Sequence, residues 1–488
     1  MNTMFLRLPL LCLLTLICTC GPALMSQSAP ELTLEPYEFI TEDGQKTDAE
    51  MGSFAVPENR RTTSEKQLTL RFVRFKSTNP NPGSPIVYLA GGPGGSGINA
   101  ARGPRYKLFQ ELRAVADVIA YEQRGTGLSD GPPRYPGFWS VDPTKVMTEE
   151  EVRPIIQKAT REAADFFASN GCDLSGYNTN ESADDLNDLR LAIGAEKISL
   201  WGISYGSHLS LTTIKRHEKH LDRVVIAGVE GYDHTVKLPI QQQQLLEDID
   251  KRLKANPATA AVFPDFLGDV DRLLKKLDQD PAIIPSVHPA TGDTVMVAIG
   301  KHNMQQLMSW MLGGPDSFKD LPLAVQAMLE GDFALLAPYA FYVKMGQFRG
   351  MSMAMDLASG ISPARRALLE KQAKTTLLGA AINYPYLDQY DELTELDAGK
   401  AFRAPYPAQL PVLCISGTLD GRTAVGNAVE TLEHFKNGHH LIIEGAGHSD
   451  PLFLSSPRIL EVMRAFFEGK KTKDERIVLP PVEWVLPE

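Results

Sequence analysis

The chain has 488 residues, of which 43% are hydrophobic and 22% are charged, a composition typical of a globular protein with a large core. Its formal net charge of −11 argues against nucleic acid as a partner, because binding to phosphates requires a basic face. The length leaves room for more than one structural unit.

The first 28 residues are predicted to form a secretory signal peptide rather than part of the fold. Arg7 precedes an apolar run at 8–18, which is too short to cross a bilayer as a helix. Cleavage among the small residues at about 21–29 leaves a mature chain without a transmembrane segment, secreted or periplasmic. Lipid attachment at Cys20 is the alternative, although the residue before it fits a lipobox poorly.

Residues 29–66 are rich in proline and glutamate and are predicted to be irregular. Beyond them, short apolar strands alternate with helices. This pattern predicts a mostly parallel sheet with helices on both faces, an α/β fold, whose first part we assign to 29–230. The strands are expected at 68–75, 85–90, 117–121, 198–201 and 223–227, and the helices at 149–169 and 181–193.

The sequence changes character from residue 231 to 405, where strand-like runs nearly vanish and long helical segments take over. This segment is predicted to be a helical cap inserted into the sheet domain. Its frequent methionines indicate either a helical core or a methionine-lined substrate pocket. The sheet resumes with strands at 411–415 and 439–443, so we assign 406–488 to the second part of the α/β core.

The most informative motif is the pentapeptide Gly-Ile-Ser-Tyr-Gly at 202–206, which follows the apolar run 198–201. It predicts a buried strand, a sharp turn that carries Ser204, and a helix that opens near Ser207. Such a turn lifts the serine hydroxyl to the top of the sheet, where a base can reach it. Considered alone, the pentapeptide also fits a glycine-rich turn with a capping serine.

A serine nucleophile needs a base within about 2.6–3.2 Å and a third group that orients this base. Asp420 follows the strand 412–416, and His448 follows the strand 441–443, in the chain order expected of an α/β active site. We therefore predict a catalytic triad in which His448 is the base and Asp420 orients it toward Ser204. The alternatives are a helix-capping aspartate and a loop histidine without a catalytic role.

The glycine-rich segment 91–97 follows a predicted strand and offers backbone N–H groups for an oxyanion hole. We predict that the N–H groups of Gly92 and Tyr205 stabilise the negative charge of the intermediate. The segment also matches the dinucleotide pattern GxGxxG. However, Pro93 occupies the turn, no helix is predicted to open after it, and no ribose-binding acid follows in a βαβ unit. No nucleotide or other cofactor is therefore expected.

The remaining histidines and cysteines do not point to a second site. His217 and His220 share a charged helical face, and no metal site is expected there. Cys172 and Cys414 are the two cysteines that clearly remain in the mature chain. Cys414 lies in an apolar strand and is interpreted as a buried apolar residue, although a disulfide with Cys172 is an alternative in an oxidising compartment.

Four segments resemble the prolyl aminopeptidase and tripeptidyl aminopeptidase family of α/β-hydrolases. They are the loop 91–97, the segment Glu-Gln-Arg-Gly-Thr-Gly-Leu-Ser at 122–129, the turn 202–206, and the pair Asp420 and His448. The resemblance runs in order from about residue 50 to 468 and implies an α/β-hydrolase fold with a cap. Arg124 is interpreted as a brace of the sheet edge. Ala90 and Glu122 depart from the residues usual in the family, so the preferred substrate stays open.

The resemblance implies hydrolysis of peptides at a free N-terminus, with acidic side chains that hold the α-ammonium group. Glu230 and Asp356 are the candidates, because a buried ammonium needs a carboxylate partner; the alternative is that both are solvated or helix-capping acids. We predict a serine aminopeptidase of the proline type or of the tripeptidyl type, which releases one or a few residues through an acyl-enzyme. No metal ion is expected to take part.

Two other functions compete with this prediction. A carboxylic-ester hydrolase would use the same triad, since acyl transfer to serine is common to both reactions. A catalytically silent binding module of the same fold is disfavoured, because Ser204, Asp420 and His448 are all present. The sequence leaves the oligomeric state open.

Overall fold

A computed structural model of the chain describes residues 29–288 and 291–487. The predicted signal peptide and the alternative anchor at Cys20 lie outside the described residues. None of the helices in the described part is both long and apolar enough to cross a lipid bilayer.

The described residues form fourteen strands, ten of which belong to one central sheet. In chain order the strands are β1 (Thr33–Ile40), β2 (Lys46–Pro57), β3 (Gln67–Phe75), β4 (Ile86–Leu89), β5 (Val118–Tyr121), β6 (Phe138–Ser140), β7 (Ile198–Ile203), β8 (Leu221–Ala227), β9 (Ala282–Val287), β10 (Thr294–Ile299), β11 (Met345–Gln347), β12 (Val412–Gly417), β13 (Gly438–Glu444) and β14 (Glu475–Val478).

The central sheet has the strand order β1-β2-β3-β5-β4-β7-β8-β12-β13-β14. The first three strands are antiparallel, and β3 is antiparallel to β5. From β5 onward every neighbouring pair is parallel. The carboxyl ends of these parallel strands therefore meet at one edge of the sheet, where ligand sites of such folds lie.

Eighteen α-helices accompany these strands in the described residues. They are α1 (Gly97–Arg102), α2 (Tyr106–Leu112), α3 (Glu149–Ser169), α4 (Thr179–Ala192), α5 (Tyr205–His217), α6 (Pro239–Ala255), α7 (Pro257–Val262), α8 (Phe266–Gln279), α9 (Lys301–Met311), α10 (Pro315–Phe318), α11 (Leu321–Glu330), α12 (Gly350–Ser359), α13 (Pro363–Ala373), α14 (Tyr386–Glu392), α15 (Lys400–Arg403), α16 (Val425–Leu432), α17 (Pro451–Leu454) and α18 (Pro457–Phe467).

Helices cover both faces of the sheet, as the continuous apolar strands predict. Successive residues of one strand point to opposite faces, so Leu200 and Trp201 in β7 are both buried but belong to two different hydrophobic clusters. Val224 and Val225 in β8 divide in the same way. The predicted α/β fold with a mostly parallel sheet is confirmed.

The expectation that residues 29–66 are irregular is wrong. This segment forms β1 and β2, an antiparallel pair that extends the sheet beyond β3. In β1 most side chains are at least partly exposed, because the strand lies at the edge of the sheet and carries Pro36 there. Without a continuous apolar run, the periodicity of the segment does not distinguish a strand from a loop.

Between β8 and β12 the chain is mostly helical and has a hydrophobic cluster of its own, built largely from α6, α8, α9 and α11. The expectation that strands nearly vanish there is wrong in part, because β9 and β10 form an antiparallel hairpin and β11 pairs with β6. Pro285 interrupts the apolar run of β9 and hides it in the sequence. The cap boundaries 231 and 405 stay a prediction.

The methionines of this segment favour the core interpretation. Met351, Met353 and Met355 in α12 are buried in the same cluster as Tyr205, and Met304 is buried in the cluster of the inserted helices. The described cysteines, Cys172 and Cys414, are both buried free thiols.

Arg124 lies fully buried beside β5 and joins four segments of the chain. Its guanidinium donates two 2.7 Å hydrogen bonds to the carboxylate of Asp185, and others to the carbonyl oxygens of Glu58 and Gly176. Arg60 donates to the same Asp185 carboxylate at 2.7 Å. These contacts agree with the structural role predicted for Arg124, because its donors are directed at protein acceptors.

Substituting Arg124→Met is expected to lower the free energy of unfolding by about 3–5 kcal/mol, because it leaves a buried carboxylate partly unpaired. Urea unfolding followed by circular dichroism measures the change. As a control, Lys46→Met removes the exposed Lys46–Glu38 ion pair and is expected to cost at most about 1 kcal/mol. Similar losses in the two variants would contradict the bracing role.

Candidate active site

Ser204 stands at a sharp turn between a strand and a helix at the carboxyl edge of the sheet. Strand β7 ends at Ile203, and α5 begins at Tyr205. Ser204 has φ 54° and ψ −123°, a conformation that is rare for a residue with a side chain and is expected of a nucleophile elbow. Its N–H donates to the carbonyl of Ala227 at 2.9 Å, which ties the turn to β8.

The glycines on either side of the turn allow a close approach of strand and helix. A Cβ atom on Gly206 would lie 2.1 Å from the carbonyl oxygen of Leu89, and one on Gly202 would lie 2.4 Å from the carbonyl oxygen of Gly206. Both distances are far below van der Waals contact. A side chain at either position would therefore collide with the neighbouring backbone, which explains why both positions are glycine.

Asp420 and His448 meet at the ends of β12 and β13, although 28 residues separate them. The imidazole Nδ1 of His448 lies 2.8 Å from Oδ2 of Asp420. The hydroxyl of Thr423 donates to the same oxygen at 2.7 Å, and Oδ1 accepts the backbone N–H groups of Arg422 and Thr423, both at 2.8 Å. The carboxylate thus caps its own loop with one oxygen and faces the imidazole with the other.

The environment keeps Asp420 ionised. Burial would raise the pKa of this carboxyl, but the neighbouring His448 and the hydrogen bonds from Thr423 outweigh it and hold the pKa below its usual value. A buried carboxylate against Nδ1 fixes the imidazole tautomer that leaves Nε2 free to accept a proton. Gly228 makes room for the ring, since a Cβ there would lie 3.0 Å from Cε1 of His448.

Ser204 and His448 line the same cavity, which has a volume of about 560 Å³. Its other lining residues come from β4 and the segment after it, from the end of β7, and from the segments that follow β8, β12 and β13. They are Tyr88, Ala90, Gly91, Gly92, Gly95, Ser96, Ala100, Arg105, Ile203, Glu230, Lys237, Arg422 and Ser449. Within the described residues the Ser204 hydroxyl makes no hydrogen bond to the imidazole. The structure therefore brings the two groups to one cavity without joining them directly.

Of the two predicted oxyanion-hole residues, Gly92 is among the residues that line this cavity and Tyr205 is not. Gly92 has φ 119°, in the left-handed region that favours glycine. Tyr205 is the first residue of α5, where a backbone N–H has no partner within the helix. A Cβ on Gly91 would lie 2.9 Å from the Cβ of Ser204, so the glycine loop passes directly beside the serine.

Glu122 holds the glycine loop through hydrogen bonds, a role that the sequence did not reveal. Its carboxylate accepts the hydroxyls of Ser96 and Thr126 and the N–H of Ile98. A helix does open at Gly97, contrary to expectation, and Ser96 caps it. Burial raises the pKa of Glu122 even though these hydrogen bonds oppose the rise.

Of the two predicted ammonium-binding acids, Glu230 lines the cavity and Asp356 is not among its lining residues. Glu230 is 5% exposed and already pairs with Lys237 at 2.5 Å, a partner that the sequence analysis missed. Burial would raise the pKa of Glu230, but the charges of Lys237 and His208 and the hydrogen bonds from Lys237 and Thr235 together outweigh it and lower the pKa below its usual value. For Asp356, burial and the charge of Glu230 raise the pKa well above its usual value.

Arg105 anchors the loop that carries His448, and the sequence offered no signal for it. Its guanidinium donates to Asp450 at 2.7 Å, to Ser449 Oγ at 2.9 Å, and to the hydroxyl of Tyr88. Ser449 has a φ of 74°, so the backbone directly after the histidine is held in an unfavourable conformation. The partners of Arg105 lie as far as 345 residues away along the chain.

The structure gives no support to a metal site in the residues it describes, where no three His, Cys, Asp or Glu side chains are grouped as metal ligands. His217 instead binds Asp184, with 2.7 Å between Nε2 and the carboxylate oxygen.

Comparison with known proteins agrees with this architecture. Residues 84–283 match the family described as alpha/beta hydrolase fold. The serine protease Hip1 of Mycobacterium bovis is 25% identical over 226 residues, which cover 44% of this chain and 42% of that protein. The tripeptidyl aminopeptidase of Streptomyces coelicolor is 27% identical over 192 residues, which cover 36% of this chain and 34% of that protein. The chain spans less than half the length of these curated relatives.

Solved structures with similar folds include an esterase from Thermogutta terrifontis, with a TM-score of 0.37 at 14% identity over 86% of this chain and 98% of the other. An epoxide hydrolase from an endophytic Streptomyces has a TM-score of 0.38 at 13% identity over 91% and 98%. These scores are too low to inform the site. The family match and the sheet topology establish the α/β-hydrolase fold, and the predicted resemblance to peptidases of that fold is confirmed.

Proposed function

We propose that this α/β-hydrolase-fold protein is a serine aminopeptidase of the proline type or of the tripeptidyl type. It removes one or a few residues from the free N-terminus of peptides. The observation that carries the proposal is the hydrogen bond between Asp420 and His448 beside a cavity that Ser204 enters from a nucleophile elbow. Relatives named as a serine protease and a tripeptidyl aminopeptidase support the peptide substrate. The predicted signal peptide at 1–28 is the support for a secreted or periplasmic location.

In the proposed reaction, Nε2 of His448 removes the proton from the Ser204 hydroxyl as the oxygen attacks the carbonyl carbon of the scissile amide. The same imidazole then returns the proton to the leaving amine. Asp420 holds the tautomer and stabilises the imidazolium. The direct contact between Ser204 and His448 is proposed to form when the substrate binds, since such contacts are often long before the substrate is bound.

The tetrahedral intermediate places a negative charge on the former carbonyl oxygen. In the proposal, the N–H groups of Gly92 and Tyr205 stabilise this charge, a contribution of about 3–4 kcal/mol per donor in a measured protease. The acyl-enzyme then forms on Ser204, and water attacks it in a second step that uses the same groups.

The substrate ammonium is proposed to bind at Glu230, with Asp356 as a second carboxylate. Glu230 accepts from Lys237 on one oxygen and from Thr235 on the other, at 3.1 Å. An ionised carboxylate has about four acceptor positions, so it can take another donor beside these two. The positive charge of an ammonium group bound at Glu230 would also lower the pKa of Asp356 and so favour the ionised form of this second carboxyl.

Substituting Glu230→Gln is expected to raise KM for a peptide with a free α-amine about 10- to 100-fold, because it removes a charge-assisted hydrogen bond to the ammonium. The measurement compares KM for this peptide with KM for its N-acetyl form, which lacks the charge. Asp356→Asn gives the matched test of the second acid. An equal rise for the acetylated peptide would mean that Glu230 only supports the structure.

A carboxylic-ester hydrolase is the second candidate, because the same triad serves esters. One assay separates the two functions by comparing a free-amine peptide amide, its N-acetyl form and a simple aryl ester. Cleavage of the ester alone would exclude the aminopeptidase.

A further inference from the structure

One of the cationic side chains that line the cavity at Ser204 lies within ion-pair distance of no carboxylate among the described residues. Three cationic side chains line this cavity: Arg105, Lys237 and Arg422. Arg105 pairs with Asp450 at 2.7 Å, and Lys237 pairs with Glu230 at 2.5 Å. Within the described residues, Arg422 has no carboxylate within 4 Å of its guanidinium.

The charge of Asp420, two residues before Arg422, acts to raise the pKa of the guanidinium, but burial outweighs it and lowers the pKa. The Asp420 carboxylate also has no acceptor position left for a direct contact with that guanidinium. Its four acceptor positions are taken by His448, by the hydroxyl of Thr423, and by the backbone N–H groups of Arg422 and Thr423. The hydrogen bond recorded for the guanidinium runs to the carbonyl oxygen of Trp310, at 3.4 Å. Most of the five donors of an arginine therefore remain available to a ligand.

The position of Arg422 places it on the histidine side of the cavity. The segment from Trp310 to Gly314 contacts both Arg422 and His448. The carbonyl of Trp310 accepts from the guanidinium of Arg422, and the carbonyl of Gly313 accepts the backbone N–H of His448 at 2.9 Å. Because His448 returns its proton to the leaving amine, a guanidinium on this side faces the portion of the substrate that leaves.

We infer that Arg422 binds a carboxylate on the leaving portion of the substrate, which makes it a specificity-determining residue. The inference rests on the proposed aminopeptidase function. A planar guanidinium suits a carboxylate, since two parallel N–H groups can bind both oxygens. With Glu230 at the amino end, the cavity then holds opposite charges for the two ends of a short peptide. The carboxylate can come from the C-terminus of such a peptide or from an acidic side chain after the scissile bond.

The test measures binding by calorimetry to the full chain with Ser204→Ala, so that no peptide is cleaved. The ligands are alanine peptides of two to five residues, each as the free acid and as the C-terminal amide. A second set of amidated peptides carries Glu or Gln at successive positions. Each set is measured again after Arg422→Gln is added, and after Arg422→Lys, which keeps the charge but loses the planar fork. Arg458→Gln, at an exposed arginine that pairs with Glu475, is the matched control.

We expect at least one carboxylate ligand to bind about tenfold more tightly than its neutral partner, and we expect Arg422→Gln to abolish this preference without weakening the neutral peptide. Arg422→Lys should keep part of the preference, and Arg458→Gln all of it. A preference among the free acids identifies the C-terminal carboxylate, and one among the Glu peptides identifies an acidic side chain. Equal binding throughout, no binding, or a preference that survives Arg422→Gln overturns the inference.

Hydrolysis by the enzyme that retains Ser204 tests the proposed function separately. Cleavage of these peptides without any carboxylate preference would contradict only the role of Arg422. Binding with an Arg422-dependent preference but without cleavage would contradict only the proposed peptidase function.

Discussion

Replacing Ser204 with alanine is expected to reduce kcat for peptide hydrolysis by about 10⁶-fold, the effect measured when the triad serine is removed from a protease. The reason is that the proposed acyl-enzyme forms on the Ser204 oxygen. Steady-state hydrolysis of a free-amine peptide measures the loss. Labelling by a fluorophosphonate probe should disappear at the same time, because the probe reacts with the activated serine oxygen.

Ser210→Ala is the matched control for this variant, since Ser210 lies in the same helix and its hydroxyl only donates to the carbonyl of Gly206 at 2.7 Å. Its activity should stay within a few-fold of the original protein. If Ser204→Ala kept its activity or its labelling, another nucleophile would have to act. If the protein with Ser204 intact were never labelled, the silent binding module would become the better interpretation.

Replacing Asp420 with asparagine is expected to lower kcat by about 10⁴-fold, the effect of the equivalent change in a serine protease. The amide nitrogen cannot accept the Nδ1 proton of His448, so the ring is driven to the tautomer in which Nε2 carries the proton and cannot serve as a base. Kinetic measurement alongside thermal unfolding separates this effect from a loss of fold.

Thr423→Val provides the comparison for Asp420→Asn. It removes one hydrogen bond to Oδ2 but leaves the carboxylate against the imidazole, so we expect a loss of about tenfold in kcat. Equal losses in the two variants would indicate that the loop geometry, rather than the charge and tautomer, carries the effect. An Asp420→Asn enzyme with nearly full activity would remove this residue from the triad.

Much of this arrangement could be predicted from local sequence. Strands such as β7 and β8 are buried on both faces, so nearly every residue in them is apolar and the runs stand out. The carboxyl ends of parallel strands share one edge of the sheet, so a serine, an aspartate and a histidine placed after three such strands were expected to meet there. The glycines at 202 and 206 could also be interpreted from the sequence, because close packing of a strand and a helix at a sharp turn excludes a side chain.

The pairing of charges could not be predicted in this way. Arg105 pairs with Asp450 and Lys237 pairs with Glu230, whereas Arg422 forms no ion pair among the residues that the structure describes. Each of these facts depends on which distant side chains the fold brings within about 4 Å. Periodicity reports only whether a residue faces the interior from its own helix or strand. Strands β1 and β2 were missed because most of their side chains are exposed or only partly buried, so neither strand buries enough surface to impose an apolar pattern.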